Sequence, residues 1–305
     1  LTYILRRMLL AVPVMFGVLV LTFAIIQVTP GDPARLMLGE RATQEQISRL
    51  REQLGLNDPV LVQFGRYAVN AVQGNLGESF RGQQPVARLI AERFPSTLEL
   101  TLAAVAFAAT VGIATGVFAA TARRRWADNA VMLVALVGLS IPDFWLATLF
   151  VLLFGVTLGW VSVTGGEGAQ NLILPALALG LGPAAVLARL TRSSVLEVLR
   201  EDYVRTAVAK GAGRAAVVWR HTVRNALIPV VTVMGLTFAG MLGGAVFVES
   251  VFSRPGLGTL AIASVQARDF PVIQGMVLFL ALIYVLVNLA VDLSYAVLNP
   301  RIGYA

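Results

Sequence analysis

Leu100 to Ala122 is an unbroken run of 23 uncharged residues, and Arg123, Arg124 and Arg125 follow it at once. At about 1.5 Å per residue a helix of that length covers a hydrocarbon layer of about 30 Å. A helix that is apolar on every side has no place at a water-facing surface. Met8 to Ile26, Asn171 to Ala188, Ala226 to Val248 and Val272 to Val291 have the same character. Lipid leaves the backbone no water to bond with, so these runs must be helical. Composition agrees: 13% of residues are charged and 57% are hydrophobic, against about a quarter charged in soluble domains.

The run from Asn129 to Val161 is too long for one upright crossing and too short for two with a turn. It reads as one tilted or bent span kinked at Ile141-Pro142, because proline removes a backbone donor and clashes with the preceding turn. Met8 to Ile26, preceded by Arg6 and Arg7, is long for a signal-peptide core, and no small-x-small cleavage pattern follows it, so it reads as a retained span. The expectation is an all-α integral membrane protein with six transmembrane helices, at about 8–27, 98–122, 129–161, 171–192, 226–249 and 272–297.

Basic residues set the orientation. Arg6, Arg7, the Arg123 triplet, the bases of the loop before Ala226, and Arg301 fall on one side, which the positive-inside rule makes cytoplasmic. Both termini are then inside. The segment 28–96 is outside and nearly charge-balanced. Within it Thr43-x-x-Gln46 is a capping-box pattern, Ile47, Leu50 and Leu54 follow at helical spacing, and Gly55 is placed to stop the helix. Asp58-Pro59 opens a second amphipathic run through Leu61, Phe64, Ala68, Ala71 and Val72, ended by Gly74. Such helices can rest on the bilayer or present a docking surface to an external partner.

The longest polar interruption of the second half is the segment 193–225. Between Arg189 and Arg224 the chain holds eight basic residues against three acids, a local net charge of +5 out of its formal +7. Val195, Leu196, Val198, Leu199, Val204, Ala207 and Val208 read as one helical stripe, and Gly211-Ala212-Gly213 breaks it before a second helix. Gly211 is expected to take a positive φ, or to mark a close approach where a Cβ would collide.

Other features carry less. Gly112-x-x-x-Gly116, Gly155-x-x-x-Gly159 and Gly240-x-x-x-Gly244 fit a close helix contact and are weak indicators of dimerisation. Asp143, Glu249 and Asp292 lie in or near spans, the last two near span ends where water can reach, and three scattered carboxylates make a poor proton relay. His221 stands alone and the chain has no cysteine, so neither a metal site nor a disulfide framework is indicated. There is no phosphate-cradling G-x-x-x-x-G-K-[ST] loop, and the one lysine, Lys210, precedes Gly211. ATP-driven work would have to be done by a partner. The basic pI near 10.5 reflects membrane orientation and not nucleic-acid binding.

The segment DYVRTAVAKG followed by HTVRNALIPVVT resembles the cytoplasmic coupling loop of ABC importer permeases, in the B-type subunit of the dipeptide, oligopeptide and nickel branch. The resemblance runs nearly end to end through TPGDP, LGLNDPVLVQF, GNLGESF, RFPSTLELTLA, SIPDFWLA, ARLTRSSVLEVL, GGAVFVESVFSRPGLG and VDLSYAVLNPRIGYA. Against the general loop E-A-A-x3-G-x9-I-x-L-P, aligned at Gly211, Arg205-Thr206-Ala207 replace E-A-A and Pro229 falls five residues late; in both respects the chain is similar to the peptide branch. The resemblance implies a type I importer permease fold and a short coupling helix seated in a partner ATPase, with Asp202, Tyr203, Arg205, Thr206, Ala207, Lys210 and Gly211 near the contact. It implies a second homologous permease, two ATP-binding subunits or domains that hold the ATP and magnesium, an external binding protein, and a bacterial inner-membrane location. Peptide import is the expectation, with nickel chelates, glutathione or sugars as alternatives. An ion-coupled secondary transporter would want paired intramembrane charges and repeats. A membrane scaffold without transport is compatible with the composition alone.

Overall fold

The computed structural model describes residues 2–28, 31–38, 42–122, 124–160 and 170–298, which are helical apart from turns and an isolated antiparallel bridge between Glu78 and Pro85. Arg123, Arg301 and Thr29-Pro30 of the TPGDP motif lie outside the described residues. In order the helices are α1 (Thr2–Val28), α2 (Pro33–Leu38), α3 (Gln44–Gln53), α4 (Val60–Val72), α5 (Val86–Thr121), α6 (Arg125–Ser140), α7 (Asp143–Phe150), α8 (Gln170–Val198), α9 (Asp202–Ala209), α10 (Arg214–Ala216), α11 (Arg224–Val251), α12 (Leu257–Ala267) and α13 (Phe270–Leu298). Two π-helical stretches, Val151–Thr157 and Val217–Val223, continue α7 and lead into α11.

Arg7–Val28, Val86–Thr121, Asn171–Val198, Arg214–Val251 and Phe270–Leu293 are each long and apolar enough to cross a membrane. Trp126–Ser140 and Asp143–Thr157 qualify only together, and the pair is bent by 95°. The bend falls at Ile141-Pro142, where Ile141 leaves the helix with ψ 122°. At that angle the feature is a corner and not the tilt of a single rod. The described chain thus holds five membrane helices, or six with the bent pair taken as one.

The chain divides into two compact units, Leu1–Pro95 with Pro255–Val285, and Ser96–Arg254 with Leu286–Ala305. In the first, Thr43 accepts from the Gln46 N–H at 3.3 Å while the Gln46 side chain accepts from the Thr43 N–H at 2.9 Å, closing the capping box at α3. Gly55 (φ 63°) and Gly74 (φ 79°) follow α3 and α4 in the left-handed conformation that glycine adopts without strain. Val86 and Ile90 are buried against Leu257, Val272 and Met276, and Phe94 meets Phe279 edge-on at 5.0 Å.

That stripe explains why α5 begins at Val86, well before the uncharged run. Its charges point away, Arg88 and Glu92 pairing one turn apart at 2.8 Å on the exposed side. Before α5, the buried Asp269 accepts from the Ser79 hydroxyl and, at 3.1 Å, from the Phe80 N–H. The loop leading into α5 is thereby tied to the corner between α12 and α13.

The second unit is built around α8. Leu179 and Leu187 of α8 are buried with Leu100, Ala104 and Ala108 of α5 and with Val230, Met241 and Val248 of α11. A Cβ on Gly112 would lie 2.7 Å from the Ala184 carbonyl oxygen, and one on Gly116 2.6 Å from that of Ala188. The Gly112-x-x-x-Gly116 pattern therefore serves a helix contact within the chain and leaves nothing for a dimer. Gly240 and Gly244 have nothing within 4 Å.

Candidate functional site

The polar segment between α8 and α11 folds as a helical hairpin. Val195 and Val204 are both buried although nine residues, two and a half helical turns, would set them on opposite faces of one helix. The expected single stripe from Val195 to Val208 is accordingly broken: α8 ends at Val198, and the Arg200 and Glu201 N–H groups turn back onto Glu197 and Val198. Glu201 takes an extended conformation and α9 starts at Asp202.

The far end of α9 is closed by a Schellman motif. Lys210 is the C-cap, the Gly211 N–H donates to Val208 O at 2.9 Å, and the Ala212 N–H donates to Ala207 O at 3.1 Å. This arrangement requires the residue after the cap to be left-handed, and Gly211 has φ 83°. The expected positive φ is present. A Cβ collision within the chain is not, since nothing lies within 4 Å of where that atom would be.

Of the residues named for the coupling contact, Asp202, Tyr203, Arg205, Thr206, Lys210 and Gly211 are exposed and Ala207 is half-buried. Tyr203 also braces the hairpin from within, because its hydroxyl accepts from the Asn225 side chain at 2.8 Å and lies 3.3 Å from the carbonyl oxygen of His221. The Thr206 hydroxyl turns back to Asp202 O at 2.9 Å. Beside them Val208 and Trp219 stand open, 55% and 62% exposed, on a hairpin otherwise rich in arginine. In the sequence Val208 is only the last member of an apolar stripe, and a lone tryptophan carries no periodicity.

The hairpin rests on a firm base. Val195 of α8, Val117 of α5, Val223 at the end of the second π-helical stretch and Ala226 at the start of α11 form one buried cluster. Arg214 donates to Thr121 O, the last residue of α5, at 2.7 Å, supplying a cation to a helix C-terminus. Arg192 of α8 meets Asp128 of α6 in a bidentate pair of 2.5 and 2.6 Å. His221 is half-buried, and among the described residues no group of acids, histidines or cysteines could hold a metal ion.

At the opposite end of the same unit lies a second polar knot. Thr97 and Glu249, both fully buried, are joined by a hydrogen bond of 2.5 Å from the threonine hydroxyl. Arg254 reaches Glu99 at 3.0 Å, the Ser96 hydroxyl at 3.4 Å and Asn171 O at 3.2 Å. Glu249 is thus not the water-exposed residue that its position near a span end predicts. Asp292 is half-buried. Asp143, the first residue of α7, sits half-buried beside Gly182 of α8, where a Cβ would lie 3.6 Å from its Oδ1.

A bent apolar helix pair and an arginine-rich hairpin braced to the ends of long apolar helices mark a multi-pass membrane protein. The family comparison agrees: residues 112–304 match the family described as the binding-protein-dependent transport system inner membrane component, and residues 1–101 match the membrane-component N-terminal family of the same systems. The chain belongs to this family of ABC importer permeases, in the dipeptide and oligopeptide branch. It is 48% identical over 304 residues to the glutathione transport system permease protein GsiC of Escherichia coli (strain K12), covering 100% of this chain and 99% of that one. The GsiC of Shigella flexneri serotype 5b is 47% identical over the same span. Among solved structures, the inward-facing MetNI methionine ABC transporter aligns with a TM-score of 0.57 at 20% identity, covering 69% of this chain and 96% of that one. An amino acid ABC transporter aligns with a TM-score of 0.50 at 20% identity, covering 70% and 94%. These last two likenesses speak to fold alone.

Proposed function

We propose that the chain is one half of the translocation path of an ATP-driven importer of short peptides, with the tripeptide glutathione as the first substrate to test. A second, homologous permease forms the other half. Two ATP-binding subunits or domains hold the nucleotide and magnesium, and an extracytoplasmic binding protein delivers the substrate. The hairpin and both termini face the cytoplasm, while 28–96 lies toward the outer side.

The observation that carries this reading is the presentation of α9. Tyr203, Arg205 and Val208 stand exposed on a short helix, with Lys210 at its C-cap, in a hairpin whose base at Val195 and Val223 is packed with Val117 of α5, which suits a lever and not a flexible tether. Closure of the ATPases would push α9, and the bracing would pass that displacement to the membrane helices as a rigid-body movement, opening the path alternately to each side. The choice of glutathione rests on the GsiC permeases, glutathione transport proteins that match over the whole chain. The runner-up is another short peptide.

The test is uptake of labelled glutathione by the full transporter in proteoliposomes, run as a competition series. A dipeptide of unmodified α-linkage, glutathione and a nickel chelate are offered in excess with the binding protein present. Competition by glutathione alone supports the substrate assignment. Absence of glutathione uptake where a labelled dipeptide is taken up moves the assignment to the runner-up, and ATP-independent uptake would overturn the class of mechanism.

A further inference from the structure

Helix α4 has three faces. Its aromatic face packs on α1: Phe64 meets Phe16 at 6.0 Å and Phe23 at 5.4 Å, and the Tyr67 hydroxyl lies 3.0 Å from that of Thr22. Its polar face, Gln63, Arg66 and Asn70, lines a crevice of about 570 Å³ shared with Asp32, Arg51 and Gln274. The charge on that face is neutralised locally, Arg66 pairing with Asp58 at 2.6 Å. The third face carries Leu61, Gly65, Val69 and Val72, with Leu61 84% and Val72 83% exposed and nothing within 4 Å of a Cβ at Gly65. It bears no charge.

The contacts with α1 fix the depth of α4. Arg7–Val28 is a membrane helix, and Phe23 and Phe16 lie five and twelve residues before its Val28 end. At about 1.5 Å per residue these positions are roughly 7 and 18 Å below that end, well inside a hydrocarbon layer of about 30 Å. Phe64, touching both, is therefore at hydrocarbon depth. Phe16 is itself still largely exposed, so the open face of α4 continues the lipid-facing side of α1. At 13 residues α4 is too short to cross, the length range of interfacial and re-entrant segments.

We infer that α4 is sunk into one leaflet and that lipid acyl chains cover its Leu61, Val69 and Val72 face. The segment between α1 and α5 then does not stand clear of the bilayer. It grips the outer part of α1 from within the membrane, with only the polar face and α3 turned to water. An uncharged open face at this depth favours lipid over a soluble binding protein, whose contact would leave the face in water whenever that protein departs.

The chain has no cysteine, which permits single spin labels. Val69→Cys and Val72→Cys are labelled with a nitroxide in the complete transporter, in nanodiscs, on partner subunits lacking reactive cysteines. Collision with oxygen, which partitions into lipid, is compared with collision with a water-soluble nickel chelate. Leu21→Cys on α1 and Gln46→Cys on α3 serve as lipid and water references. The expected result is oxygen-dominated collision at Val69 and Val72, several-fold over nickel and similar to Leu21. Nickel-dominated collision like that at Gln46 would place the face in water, and protection from both reagents would mean that another protein covers it; either overturns the inference.

Discussion

The hydroxyl of Thr97 on α5 donates to the carboxylate of Glu249 on α11 over 2.5 Å, with both side chains sealed from solvent. The two residues stand far apart in the chain, so the bond fastens one membrane helix to another. Thr97→Val keeps the shape and removes the donor. A hydrogen bond to a charged group contributes about 1.5–3 kcal/mol, so the complex carrying Thr97→Val should lose several degrees in its detergent-solubilised unfolding temperature. Thr97→Ser should stay close to the wild type; equal losses in both would show that packing and not the donor matters there.

Gly116 and Gly240 predict opposite outcomes for the same substitution. A methyl on Gly116 would sit 2.6 Å from the Ala188 oxygen on α8, while one on Gly240 meets nothing within 4 Å. Forcing α5 off α8 should cost about 1–3 kcal/mol. Gly116→Ala should therefore reduce membrane abundance in an immunoblot, and Gly240→Ala should leave the isolated chain as stable as before. Any loss of assembly with Gly240→Ala would then report a neighbour supplied by another subunit.

The Arg192–Asp128 pair braces the hairpin's base through α6 and α8. Asp128→Ala leaves a partly buried guanidinium without its bidentate acceptor, a loss on the order of 1–3 kcal/mol. Uptake should fall more than abundance, because the hairpin would yield under load. The exchanged pair Asp128→Arg with Arg192→Asp should recover part of the loss, which a purely steric effect would not allow.

Local features were legible in the sequence. The Thr43 capping box, the stops at Gly55 and Gly74, the corner at Ile141-Pro142 and the positive φ of Gly211 each depend on a few adjacent residues, and each stands where the residue chemistry put it. What escaped depends on partners distant in the chain. The start of α5 at Val86 needed the apolar surface of α12 and α13 to make a charged stretch helical. The break after Val198 lets Val195 and Val204, on separate helices, both be buried, which no local pattern announces. Thr97 and Glu249, or Asp128 and Arg192, cannot be paired from one sequence, because nothing in the local pattern of either names the other. The residues named for coupling came from a resemblance; the structure puts all but Ala207 at the surface, and adds Val208 and Trp219 beside them.

The orientation of the chain can be read by labelling. Gln46 and Gly213 are both exposed. A membrane-impermeant thiol reagent should modify Gln46→Cys in intact cells and Gly213→Cys only after lysis. The reverse pattern would place the hairpin outside and remove any route to a cytoplasmic ATPase.

The central claim is that the α9 hairpin transmits force from an ATPase to the path, and Gly211 tests it most directly. Its φ of 83° is open to glycine and tolerated by asparagine, but costs a β-branched residue about 1–3 kcal/mol, enough to undo the Schellman turn. In proteoliposomes holding the complete transporter, Gly211→Val should depress substrate uptake and substrate-stimulated ATP hydrolysis together, by roughly tenfold, at normal subunit assembly. Gly211→Asn keeps the turn and should retain most of both, unless the partner's cleft approaches closer than a side chain allows. Normal uptake by Gly211→Val in a fully assembled complex would contradict the account, leaving the hairpin as a charged retention segment and nothing more.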